Sequence, residues 1–182
     1  MTTIGNFLRI FLMGSFALFI SFNASAQSDF SYPVIKNYGG VADFEKAILP
    51  KEGAKILIDL TSAATIKDGA NKSLDKIARL INLYKLAGID GKELELAVIF
   101  HGEATKTVLS DKAYNEKYGR TNPDTQLIKI LKENGVKFMV CGQAIAHRGF
   151  KVDHISPEVD LALSAITILV EYQQKGFAVL YF

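Results

Sequence analysis

The sequence predicts an α/β protein built on a mostly parallel β-sheet with helices on both faces. Three observations carry that expectation. Short apolar runs rich in β-formers alternate with stretches whose apolar residues recur at i, i+3 and i+4. The intervening stretches are long enough to be crossover helices, which parallel pairing requires. No internal repeat or low-complexity tract interrupts the pattern.

The chain of 182 residues opens with a leader. Arg9 is the only charge before Asp29, residues 10–22 form a nearly continuous apolar run, and Ala24-Ser25-Ala26 supplies a small-x-small cleavage pattern. Residues 1–26 therefore read as a secretory signal peptide, cut after Ala26. The apolar run falls short of the ~20 residues a spanning helix needs, so no membrane attachment is expected after cleavage. No cysteine follows the cleavage site, which excludes a lipid anchor of the bacterial lipoprotein type. The expected location is periplasmic or secreted.

Residues 27–54 lack periodicity and contain Pro33, Gly39-Gly40, Pro50 and Gly53. They read as an irregular arm lying on the domain, with a short helical turn near 43–48 and with Phe30, Tyr32, Tyr38 and Phe44 pinning it down. Residues 55–182 form the domain proper. Its first strand is 55–61. A helix follows from about Lys72, with Leu74, Ile77, Ala78, Ile81 and Tyr84 on one face and Gly88 just past its end. The second strand, 94–100, ends at His101-Gly102.

Residues 103–118 read as one or two short helices, the second capped by Ser110. Asn122-Pro123 has the form of a cap followed by a first-turn proline, opening a helix whose buried face is Leu127, Ile128, Ile130 and Leu131. The third strand, 136–141, carries Cys141 at its end, and a short helix over about 143–148 follows. After a short segment at 151–155, Pro157 opens the last helix. There Val159, Ala162, Ala165, Ile166, Leu169 and Val170 make one stripe expected to pack on the sheet. Residues 177–181 are the closing strand.

Composition excludes several classes. The formal net charge is +2, with signs interspersed and no Lys/Arg cluster, so no nucleic-acid surface is expected. The first strand is followed by Leu60-Thr61-Ser62-Ala63-Ala64 without a phosphate-binding glycine, and there is neither a G-x-S-x-G elbow nor a C-x-x-C pair. No cofactor is expected. Cys141, His147 and His154 are metal-ligand types, but their spacing matches no zinc pattern, so no metal is expected.

In open parallel sheets, ligands sit beyond the carboxyl ends of the strands. That rule gathers Thr61/Ser62, His101/Gly102 and Cys141/Gly142/Gln143. Cys141 is the only cysteine, so it forms no intrachain disulfide. Two readings stay open for it. At the start of the following helix, exposed N–H groups favour a reactive thiolate; a free cysteine also packs well as a small buried hydrophobe. An imidazole at His101 would favour the thiolate if it lies beside the sulfur. Asp59, between apolar neighbours, is either a satisfied buried carboxylate or part of the strand-end site.

Several short motifs, in order, resemble the DsrE/DsrF-like family. Strand-Cys141-Gly142-Gln143 is followed by Pro157-Glu158-Val159, Ser164-Ala165 and Gln173-Gln174-x-Gly176-Phe177-Ala178. Tyr38-Gly39-Gly40-Val41, His101-Gly102-x-Ala104 and Tyr118-Gly119-Arg120-x-Asn122-Pro123 resemble its exported branch. The resemblance implies a three-layer α/β/α domain with a five-stranded, mostly parallel sheet, and assembly into homo-oligomers. It also implies sulfur handling through a persulfide on Cys141, the one position carried over, with a sulfur donor or acceptor protein as partner. The alternative is a non-catalytic binding or assembly module whose cysteine is inert.

Overall fold

The computed structural model describes residues 30–182; the expected signal peptide lies outside them. Five strands form one sheet: β1 (Ala54–Leu60), β2 (Leu94–Phe100), β3 (Lys137–Cys141), β4 (Asp160–Ala162) and β5 (Ala178–Tyr181). Their order is β4-β3-β2-β1-β5 and every pairing is parallel. The helices are α1 (Lys72–Leu86), α2 (Asp111–Tyr118), α3 (Thr125–Glu133), α4 (Gly142–His147) and α5 (Ala165–Gln174).

Strand alternation divides the interior into two unequal cores. Ile56, Ile58 and Leu60 of β1, Val98 and Phe100 of β2, and Phe138 and Val140 of β3 point to one face. There they meet Leu74, Ile77 and Ala78 of α1 and Leu127, Ile128 and Leu131 of α3. The intervening residues Leu57, Ala97, Ile99, Met139 and Cys141 point to the other face, against Ala165, Ile168, Leu169 and Tyr172 of α5. Each large apolar side chain fully buried contributes roughly 1.5–3 kcal/mol. The α1/α3 face holds far more of them and therefore carries most of the stability.

Hydrogen-bonded caps set the helix starts. Asn71 accepts from the Ser73 amide at α1, Ser110 from Ala113 at α2 and Ser164 from Ile166 at α5. The arm is anchored by a buried amide, and of its four aromatics Tyr38 packs against the main core. Asn82 of α1 is fully buried; its Oδ1 accepts from the Val34 and Ile35 amides, and its Nδ2 donates to the carbonyls of Ile35, Tyr38 and Gly39. Ile35 itself enters the main core, whereas Phe30 and Phe44 are largely exposed. Residues 43–48 make a turn closed by Ala47 N–H on the Phe44 carbonyl and no helix.

Two expectations along the domain are revised. Asn122 closes the turn that leads into α3, its Oδ1 accepting from the Asp124 amide at 3.0 Å, but the helix itself begins only at Thr125. The Asn122 side chain is buried and donates to the Thr107 and Leu109 carbonyls, tying two loops together. Residues 157–164 are not helical. Asp160–Ala162 pairs in register with Met139–Cys141 as the edge strand, and α5 starts only at Ala165. The expected stripe is thereby broken: Val159, Ala162 and Ala165 are buried, but Ile166 is 72% exposed and Val170 51%.

Candidate functional site: a thiol cleft at the carboxyl end of the sheet

Register brings three chemistry-bearing side chains to one face. Asp59 pairs with Ile99 across β1 and β2, so His101, two residues further on, is its diagonal neighbour on the same side. The last β2–β3 pair is Phe100 with Val140; the next residues along the two chains are His101 and Cys141. Asp59, His101 and Cys141 thus descend from β1, β2 and β3 on the α5 face, at the strands' carboxyl ends.

Asp59 is 7% exposed and Cys141 5%. A carboxylate so placed needs a partner. His101 supplies it, donating from Nε2 to Asp59 Oδ1. With Nε2 holding that proton, the basic nitrogen of the neutral ring is Nδ1. Asp59 is a buried carboxylate bonded to a strand-end histidine that lines the cleft beside Cys141.

His101, Gly102, Cys141 and Gln143 line one cleft of roughly 870 Å³. Gly142 does not line it. A Cβ on Gly142 would meet the Ala162 carbonyl at 3.0 Å, so its missing side chain allows β4 to approach closely and does not open a path to the sulfur. Gln143 Nε2 donates to the Leu163 carbonyl at 3.1 Å, tying α4 to the chain beyond β4. Thr61 and Ser62 lie outside the cleft lining; the Thr61 carbonyl accepts from the Ala104 amide, and the Ser62 carbonyl from Asn71 Nδ2. Cys141 stands at the N-cap position of α4, a helix of six residues.

The rest of the wall was not foreseen from the sequence. Lys117 and Tyr118 come from the end of α2, and Arg148 and Phe150 from the loop after α4. His147 lines the same cleft. Lys117 Nζ lies 4.1 Å from the Phe150 ring centroid, and Arg148 Nη2 donates to Glu103 Oε1 at 2.6 Å. That hydrogen bond holds the Glu103 carboxyl below its ordinary range. Ser164, Ile166 and Leu169 of the α5 region close the apolar side. The nearest sequence signal is the pairing of a cation with an aromatic in Lys117-Tyr118 and Arg148-x-Phe150, which has no periodicity to mark it. His154 lies elsewhere, its Nδ1 accepting from the Lys151 amide at 3.4 Å. Among the described residues no group of three or more His, Cys, Asp or Glu side chains is arranged to hold a metal ion.

A fully parallel five-stranded sheet, helices on both faces and a cleft over the strands' carboxyl ends define the class. The model of the DsrE/DsrF-like family matches residues 54–182, and the chain belongs to that family. Among solved structures, it is similar to the ychN protein from E. coli, at 19% identity and a TM-score of 0.52, covering 71% of this chain and 99% of that one. It is also similar to MTH1491, a protein of unknown function from Methanobacterium thermoautotrophicum, at 17% identity and a TM-score of 0.49, with the same coverage. No curated protein gives a significant match.

Proposed function

We propose that this protein is an exported member of its family that carries sulfane sulfur as a persulfide on Cys141. The observation that carries the proposal is the position of Cys141 in the floor of the cleft, one strand from the Asp59–His101 pair. In the loading step the Cys141 thiolate attacks the outer sulfur of a donor R–S–SH. A Cys141 S–S bond forms, the donor's S–S bond breaks, and R–S⁻ leaves. In the unloading step an acceptor thiolate attacks the outer sulfur of the Cys141 persulfide, takes that sulfur and releases the Cys141 thiolate. One sulfur moves each time, with no external oxidant or reductant. A sulfur donor or acceptor protein is a partner that this chemistry can take.

Export rests on the charged start, apolar run and small-residue cleavage pattern of residues 1–26. Peptide mapping of fractionated cells tests it: a mature chain beginning at Gln27 supports export, and a retained leader in the membrane fraction contradicts it. Self-association is also proposed. The exposed apolar side chains Leu163, Ile166 and Val170 of the α5 edge suit a second copy of this chain.

A second reading has one observation in its favour. Cys141 is 5% exposed, as an inert core cysteine in a binding or assembly module would be. Alkylation by iodoacetamide separates the two. Rapid modification of the folded protein supports the carrier; modification only after denaturation supports the module.

A further inference from the structure

The charged side chains that line the cleft over Cys141 are of one sign. They are Lys117 and Arg148, with the imidazoles of His147 and His101 beside them, and no carboxylate lines it. Two acids close to these groups are held by them: Glu103 is bound by Arg148, and Asp59 by His101. Lys117 has no carboxylate partner among the described residues and stands against the Phe150 ring. The α5 side of the same cleft is apolar, formed by Ile166 and Leu169. A bare polysulfide or thiosulfate ion would occupy a small part of roughly 870 Å³, a volume within the ~300–1,000 Å³ of sites that take small organic ligands.

We infer that the sulfur donor is a small organic acid bearing a terminal sulfane sulfur. Its acidic groups lie toward Lys117 and Arg148, its carbon skeleton lies against Ile166 and Leu169, and its outer sulfur meets Cys141. The inference rests on the persulfide reading of Cys141 and adds the chemical class of R in R–S–SH. The leaving group is then an anionic organic thiolate, held briefly by the same two cations after its S–S bond breaks.

Two aromatic disulfides test it, the dianionic dithiobis(nitrobenzoate) and the smaller, neutral dithiodipyridine. With each, the Cys141 thiolate forms a mixed disulfide and releases one chromophoric arylthiol product. Rates on the folded protein are divided by the rates on free N-acetylcysteine amide, a thiol with no other charge, which removes intrinsic reactivity. The normalised rate should favour the dianion by about tenfold, the ratio that ~1.4 kcal/mol of added attraction gives. Lys117→Gln should cut the preference several-fold, as should Arg148→Gln and added salt, while the neutral reagent keeps its rate. Lys117 is exposed, so its replacement leaves the fold intact. Equal normalised rates, or a preference untouched by Lys117→Gln, overturn the organic-acid inference and leave the reactive thiol standing. Reaction with neither reagent until the protein is denatured overturns the reactive thiol and this inference with it.

Discussion

His101 of β2's end donates a hydrogen bond through Nε2 to Asp59 of β1, and it does so because the two residues are diagonal neighbours on the α5 face of the sheet. The bond satisfies a carboxylate that is 7% exposed and fixes the ring at the edge of the thiol cleft.

Removing the imidazole strands the carboxylate. His101→Ala should lower stability by about 1–3 kcal/mol, the cost of a buried acceptor without a donor. Asp59→Asn should cost less, and the double variant less than the sum of the two single changes. Urea denaturation of the three variants measures this; strict additivity would show that the two groups do not interact.

Asp124 gives the domain a specific pH response. It is buried, accepts from the Asn71 amide at 2.5 Å, and burial pushes its pKa up to about 6. Between the ordinary carboxylate value near 4 and about 6, the folded state holds a proton that the unfolded chain has released. Stability should therefore fall as pH rises through that window, by about 3 kcal/mol at most, and level off above it. Asp124→Asn should flatten that segment of the profile. An unchanged slope between pH 4 and 6 would assign the effect to other groups.

Gly39 should tolerate no side chain. Its φ is +62°, and an added Cβ would sit 2.0 Å from the Arg79 amide nitrogen of α1. Gly39→Ala should displace the arm from the Asn82 anchor and cost roughly 2 kcal/mol or more, through backbone strain and lost arm packing. Thermal unfolding reads the loss, and faster proteolysis within residues 30–53 locates it.

Ile166→Asp should not unfold the protein. Ile166 is 72% exposed, so stability should change by no more than about 0.5 kcal/mol, while the charge weakens self-association. Sedimentation shows the latter as a smaller species. Leu131→Ala, in the main core, should instead cost about 2–5 kcal/mol.

The three central strands were legible because both faces of β1, β2 and β3 are buried, which writes an apolar run into the sequence. α1 was legible from its single apolar stripe and the glycine beyond it. β4 was not: three residues at a sheet edge, two of them exposed, carry too little pattern to outweigh the helical spacing on either side. The same failure misplaced Ile166 and Val170, since a stripe continued from Val159 crosses a strand and a turn. At the site, the strand-end rule brought His101 and Cys141 together. It did not reach Lys117, in the last turn of α2, or Arg148 and Phe150, which enter the cleft on the loop after α4 where no periodicity operates.

A persulfide carrier must load sulfane sulfur on Cys141 while folded. Mass spectrometry of the peptide containing Cys141, after incubation of the folded protein with polysulfide, measures that loading. The expected result is a gain of about 32 Da, one sulfur atom, that an acceptor thiol removes and that the Cys141→Ser variant never acquires. An unmodified Cys141 in the folded protein, loading only once the chain is denatured, would contradict it.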